Sequence, residues 1–280
     1  MEGPDDKRAC ERETIRAGQE FRKEDFKIEE MAARNKTVSK KKAPAGMTSP
    51  EHAARRLRRM YERLVERWGP QQWWPARTAF EVVVGAYLTQ NTAWTSVERS
   101  IANLEAGGVL SVKGLRGIGE EELRVLIRPS GFMLRKAAAL KAFVAFLDAE
   151  FSGEMDALRA AAQTDAGEIR RRLLALLGVG PETADAILLY ALDAPAMVVD
   201  EYLRRVTVRH GLAGEKAKYA EIQALAEAAF TGEQNSESPT ELARHYNEFH
   251  ALMVQVGKAH CGRVARCEEC PLAWDLKARS

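Results

Sequence analysis

Two short stretches of this 280-residue chain carry residue types that could do chemistry. The first is Leu176-Leu177-Gly178-Val179-Gly180-Pro181-Glu182-Thr183-Ala184, with a helical pattern on both sides of Gly-Val-Gly. The two glycines let the backbone turn tightly and come close to a ligand. The helix that follows aims free N–H groups and its positive dipole end at an anion, and a phosphate fits there. Val179 would plug into the core. A plain helical corner with a glycine cap has the same tripeptide, and Gly117-Ile118-Gly119 is a second copy of it. There Glu120, Glu121 and Glu122 follow and would repel a phosphate, so that copy reads as a structural turn. The second stretch is Cys261-x5-Cys267-x2-Cys270, holding three of the four cysteines within ten residues. In a reducing compartment such clustering points to metal rather than to disulfides.

Both stretches need scaffolding, and the pattern around them is helical almost throughout. Leu57, Met60, Tyr61, Leu64, Val65 and Trp68 recur at helical spacing, as do Phe80, Val83, Val84, Tyr87 and Leu88. Residues 137–151, 169–177, 183–192 and 219–230 predict further helices, with Gly and Pro between them. Ser49 is placed to cap a helix that has Pro50 at its first position. No alternating strand pair and no repeat stands out, so the predicted class is all-α with short connections and a cysteine-containing C-terminal loop.

A hydrophobic fraction of 46% is ample for a core. Residues 1–46 are polar and charged without an apolar period and predict a disordered tail. The net charge of +2 says little about partners, but its distribution says more. Lys36 with Lys40, Lys41 and Lys42, then Arg55, Arg56, Arg58 and Arg59, form clusters that suit nucleic acid or, more commonly, a solvated face. No run approaches the roughly 18 apolar residues of a membrane span. The charged N-terminus also lacks the apolar segment of a secretory signal. Together these predict a cytoplasmic protein with no membrane partner.

The stretch from Gly178 to Arg205 carries a resemblance. Gly-Val-Gly, a helix, a short loop and then Met197-Val198-Val199-Asp200 resembles the helix-hairpin-helix DNA glycosylases of the endonuclease III superfamily. The likeness runs from about Trp73 to Cys270. It includes Leu88-Thr89-Gln90-Asn91-Thr92 and Arg128-Pro129-Ser130-Gly131-Phe132, and its nearest branch is the 3-methyladenine DNA glycosylases, through Trp73-Trp74-Pro75 and Glu182-Thr183-Ala184-Asp185-Ala186-Ile187-Leu188.

The resemblance implies a base-excision-repair enzyme whose partner is double-stranded DNA with a damaged base, acting as a monomer, on the nucleoid when bound. Asp200 becomes the catalytic carboxylate. Cleaving an N-glycosidic bond builds positive charge on the sugar, which a buried carboxylate stabilises while it orients or deprotonates water. Asp200 also reads as the N-cap of a helix beginning Glu201-Tyr202-Leu203. Trp73, Trp74, Trp94 and Glu182 would line the base pocket, where aromatic faces hold a cationic alkylpurine by stacking and cation–π attraction. Being neighbours, Trp73 and Trp74 would send at most one indole into that pocket on regular structure. Gln90 and Phe132 would fill the gap left by the extruded base. Gly178, Val179, Gly180 and Thr183 would hold the DNA, with Arg128 and Arg135 in reach of phosphates.

Bifunctional members carry Lys where this chain has Glu182. A carboxylate cannot form the Schiff base of strand cleavage, so the expectation is a monofunctional enzyme. The cysteine loop is similar to the superfamily's Cys-x6-Cys-x2-Cys-x5-Cys iron–sulfur pattern, but the first spacing is one residue short and Leu276 stands at the last ligand position. Cys261, Cys267 and Cys270 therefore give a [4Fe–4S] cluster an incomplete ligand set. Either His260 or Asp275 substitutes, for iron or zinc, or the loop has lost its metal, as the 3-methyladenine branch has. The family fold implies two helical lobes, 71–194 with the hairpin and 47–70 plus 195–275 with the cysteine loop, and DNA in the cleft between them. Two rivals stand beside this reading: an endonuclease III-like glycosylase and lyase acting on damaged or mismatched pyrimidines, and a non-catalytic binder of damaged DNA.

Overall fold

Ser49 opens the first helix as its spacing predicts. Its hydroxyl accepts from the His52 N–H at 3.3 Å, and Pro50 takes the first helical position, where a missing N–H costs nothing. The computed structural model describes residues 49–277 apart from 72, 75 and 232–237. The expected tail 1–46, with Lys36 and Lys40 to Lys42, lies outside the described residues.

Among the described residues there are thirteen α-helices and no strand; the cysteine loop contributes an isolated bridge between Cys261 and Ala265. Helix α1 spans Pro50–Trp68, α2 Ala79–Leu88 and α3 Trp94–Ala106. Next come α4 Val112–Gly117, α5 Glu120–Leu126, a 3₁₀ turn Arg128–Ser130, α6 Met133–Phe151, α7 Met155–Thr164 and α8 Ala166–Leu174. After the hairpin follow α9 Pro181–Ala186, a π turn Ile187–Ala191, α10 Glu201–Arg209, α11 Tyr219–Ala228, α12 Pro239–Ala259 and α13 Ala273–Lys277. The class is all-α. No described helix is long and apolar enough to cross a membrane.

The apolar period places the core. Leu57, Met60 and Leu64 of α1, Val83, Tyr87 and Leu88 of α2, and Phe143 and Leu147 of α6 have no exposed surface. Helix α1 packs on α11 and α12, α2 on α3, α6, α9 and the π turn, and α10 along α12. Gly257 permits that last approach, since a Cβ there would collide with the Tyr202 ring. Gly117-Ile118-Gly119 is indeed only the corner between α4 and α5, and Arg124 pairs with Glu120 and Glu121 beside it. The helix expected over 183–192 changes character midway. Its second half is a π turn in which the Leu192 N–H donates to the Ile187 carbonyl, five residues back.

The arginine cluster of α1 does not form one solvated face. Arg56 is buried and clamps the far end of the chain: Nε and Nη2 reach the Asp275 carboxylate at 2.8 and 2.5 Å, and Nη2 also reaches the His210 carbonyl at 2.9 Å. His210 Nδ1 lies 2.7 Å from the same carboxylate. Burial would raise the Asp275 carboxyl, but the hydrogen bonds from His210 and Arg56 outweigh it and hold it at about 2. A carboxyl held below its usual 3.8 stabilises the fold at pH values above about 4. The contribution, about 2 kcal/mol, fades as pH falls through about 2. Asp275→Asn leaves the guanidinium without its counter-charge and is expected to lower unfolding free energy by about 3 kcal/mol in urea titrations. An unchanged midpoint would remove the clamp from the account.

Candidate active site

The hairpin joins α8 to α9. Gly178 has φ +76°, a left-handed conformation that glycine adopts without strain, and Gly180 precedes α9 with Pro181 at its first position. Val179 packs against the core, while Gly178 is exposed. Thr183 is buried behind the turn. The Gln90 amide donates to the Gly178 carbonyl and to Thr183 Oγ1, both at 2.9 Å. The side chain expected to probe the duplex is thus anchored on the hairpin in this structure.

From α9 the scaffold passes to the segment before Asp200. Asp185 is fully buried and accepts from both sides of the Arg170 guanidinium, at 2.6 and 3.0 Å, from the Tyr219 hydroxyl at 2.8 Å and from the Gln223 amide at 2.8 Å. Tyr219 accepts in turn from the Val199 N–H at 3.2 Å, and Gln223 donates to the Met197 carbonyl at 2.9 Å. Burial first, and then the Asp185 charge, push the Tyr219 hydroxyl far above its usual value, so it stays protonated and able to donate. This strut fixes the irregular, buried run Met197-Val198-Val199 that delivers Asp200.

Asp200 fills the expected capping role and keeps one oxygen free of it. It is the N-cap of α10, with Oδ1 accepting from the Leu203 N–H at 2.8 Å, and its side chain is 13% exposed. Oδ2 is left for other work. It lies 3.6 Å from Nε2 of His250, a nitrogen that is buried and makes no hydrogen bond. The other ring nitrogen, Nδ1, is bonded to the buried Tyr190 hydroxyl. With Tyr190 as donor, Nε2 carries the proton and faces the carboxylate. Burial and the Asp200 charge drive the Tyr190 hydroxyl up, which keeps its proton in place.

Glu182, in the first turn of α9, meets the same group. Solvent reaches it, yet protein walls it on several sides, and burial and the Asp200 charge push its carboxyl up while His250 pulls it down. Two carboxylates and one imidazole therefore share this corner. Their joint field favours a developing positive charge.

An aromatic cluster joins this corner through Tyr190, which contacts His250. Trp74 is the hub: its ring centroid lies 5.2 Å from Trp94 and 5.2 Å from Tyr190, and its indole rests on Gly85 of α2. Trp73 sits edge-on to Trp74 at 5.9 Å, under Lys258 Nζ at 5.9 Å from the ring. The two neighbouring indoles both join the cluster, and 73–74 lies outside regular secondary structure. Sequence reasoning named Trp73, Trp74 and Trp94 through the resemblance, and the structure brings these rings together; it did not name Tyr190 and His250, which meet Trp74 and Asp200 respectively. A lone imidazole in the apolar stretch of α12 is a weak signal, and nothing in its spacing aims it at a carboxylate fifty positions earlier.

Phe132 is 61% exposed, adopts φ +47° and caps α6. Leu134, two residues on, and Leu177, next to Gly178 of the hairpin, are similarly exposed. Arg128 and Arg135 flank this loop.

The cysteines do not fit the four-ligand pattern. Cys261 is buried, with Sγ accepting from Arg209 Nη1 at 3.1 Å, while Cys267 is exposed and Cys270 half-buried. Burial pushes the Cys270 thiol up. Both substitute ligands are otherwise engaged, Asp275 in the clamp and His260 stacked on Trp68 at 6.5 Å. Leu276 offers only hydrocarbon. Among the described residues, no three His, Cys, Asp or Glu side chains are arranged to hold a metal ion.

Residues 84–231 match the HhH-GPD superfamily of base excision DNA repair proteins. A candidate DNA repair glycosylase of Methanocaldococcus jannaschii is 42% identical over 214 residues, 76% of this chain and 92% of the relative. The H. pylori 3-methyladenine DNA glycosylase bound to 1,N6-ethenoadenine superposes with a TM-score of 0.60 at 28% identity, covering 74% of this chain and 97% of the other. A trapped endonuclease III–DNA covalent intermediate gives a TM-score of 0.63 at 20% identity over 81% and 99%, which is likeness of fold. The chain belongs to the HhH-GPD superfamily of base excision DNA repair proteins.

Proposed function

We propose that the protein is a monofunctional DNA glycosylase that extrudes an alkylated purine such as 3-methyladenine from duplex DNA and hydrolyses its N-glycosidic bond. The observation that carries this reading is Asp200 Oδ2, turned away from its capping role toward His250 and grouped with Glu182 beside the Trp74–Trp94–Tyr190 rings. DNA would lie across the cleft between helical lobes 71–194 and 47–70 with 195–275, its phosphates on Gly178, Val179 and Gly180. Gln90 would leave the hairpin to face the orphaned base while Phe132 wedges into the stack. The H. pylori relative, with its bound ethenoadenine, supports a purine-sized aromatic slot.

The chemistry then follows. A 3-alkylated adenine is cationic, and aromatic faces hold it. The C1′–N bond breaks with its electron pair leaving on the base, which departs neutral. The Asp200 carboxylate stabilises the cationic sugar and takes a proton from the water whose oxygen bonds to C1′. Glu182 beside it adds negative charge but no amine, so the product is an intact strand with an abasic site.

The test is release of free base, read by mass spectrometry, from duplexes carrying 3-methyladenine or thymine glycol. Release from the first, with the strand intact until alkali is added, is the expected result. Release from thymine glycol alone, or nicking without alkali, would favour the endonuclease III-like alternative. Trp74→Ala removes the central ring and is expected to lower kcat/KM for 3-methyladenine about 10- to 100-fold, the worth of a base–aromatic stack. A loss under threefold would take Trp74 out of the pocket.

A further inference from the structure

Lys136 is the most deeply buried lysine described, 3% exposed, in the first turn of α6. Its ammonium donates to the Leu88 carbonyl at 2.7 Å, to Thr92 Oγ1 at 2.7 Å and to the Ser130 carbonyl at 2.8 Å. Every one of these partners is an uncharged carbonyl or hydroxyl. Burying a cation this way is costly, and burial pushes its pKa down to about 8. For stability alone an apolar side chain of the same length would serve as well.

The partners say what the charge does. Leu88 and Thr92 bracket Gln90, and Ser130 lies two residues before Phe132, whose ring is 5.7 Å from the same ammonium. The Leu88 carbonyl ends α2, a negative dipole end suited to a cation. Thr92 Oγ1 lies within hydrogen-bond reach of both the Gln90 and the Ser130 carbonyls, at 3.0 and 2.8 Å. Two loops from separate parts of the chain are thus pinned at one atom, and Gln90 extends the network to the hairpin.

We infer that Lys136 is a positioning residue that locks the Gln90 loop and the Phe132 loop together, so that both side chains enter the duplex as one rigid unit. The inference rests on the proposed roles of Gln90 and Phe132 in filling the gap. Without the lock each loop would be ordered separately during base extrusion, and that cost falls on opening the duplex rather than on breaking the glycosidic bond.

The experiment compares the native chain with Lys136→Met on two substrates, a fully paired duplex with one 3-methyladenine and the same strand with that base in a preformed bubble. Expected is a loss of about 10- to 100-fold in kcat/KM on the duplex and under about threefold on the bubble, with affinity for undamaged duplex unchanged. Fluorescence of 2-aminopurine beside the target, which needs no bond cleavage, should show a reduced extruded fraction. Equal losses on both substrates, or none on either, overturn the inference. Thr92→Val keeps the volume and removes the bridging hydroxyl; it must show a smaller loss of the same duplex-selective kind, which covers the case in which Lys136→Met fails to fold. If the native chain releases no base from either substrate, the proposed function fails by itself. The fluorescence then still decides on the lock, because equal extrusion by native and variant chains overturns it.

Discussion

Asp200→Asn is expected to slow single-turnover base release about 10³-fold, some 4 kcal/mol of transition-state stabilisation, while duplex affinity stays within about threefold. The separation comes from the two oxygens of the side chain. Oδ1 accepts from the Leu203 N–H and caps α10, a role that asparagine fills about as well as aspartate. Oδ2 faces Nε2 of His250 and the corner shared with Glu182. The amide keeps the cap and the shape but removes the charge proposed to meet the cationic sugar and the base proposed to take the proton of water. Single-turnover kinetics with a filter-binding control measure both halves. A rate within tenfold of the native value would move catalysis to another residue, with Glu182 the first to examine.

Glu182→Lys is expected to turn a hydrolase into a strand-cutting enzyme. The native chain should leave abasic DNA intact without alkali, whereas the variant should nick it and be trapped on it by borohydride. Position 182 lies in the first turn of α9, directly after the hairpin and close enough to Asp200 for the two charges to interact. An amine there reaches the same corner. It attacks the sugar C1′, forms the Schiff base on loss of water, and so permits β-elimination of the 3′ phosphate. Partial burial depresses the amine pKa while Asp200 raises it. A folded variant that binds abasic DNA yet yields no borohydride adduct would show that this position does not reach the sugar carbon.

How much of this was legible depends on the range of the contacts involved. Helices 50–68, 79–88 and 219–228 were readable because a 3.6-residue period is local information. The hairpin and Asp200 were readable because glycine and a cap obey local rules, joined here by a family resemblance. The Arg56–Asp275 clamp was not, since its partners lie 219 residues apart and a basic run looks the same whether it faces water or a buried carboxylate. Lys136 and His250 were hidden for the same reason: each lies in a helical pattern, and its role comes from loops that arrive from elsewhere. The cysteine tail was readable as an imperfect ligand set. Its departures proved informative, because Asp275, a candidate replacement ligand, is committed to the clamp.

The wide turn Ile187–Ala191 holds one more residue than an α-helix would use for the same path. Tyr190, inside this turn, touches both His250 and Trp74. Each residue of an α-helix advances the side chains about 100° around the axis. A one-codon deletion inside this turn would therefore re-register everything that follows, swinging the phenol off its imidazole partner without altering a single side chain type. No point substitution can retrace that change, and aligning this chain without a gap to one lacking the extra residue would pair residues that do not share a position on the turn.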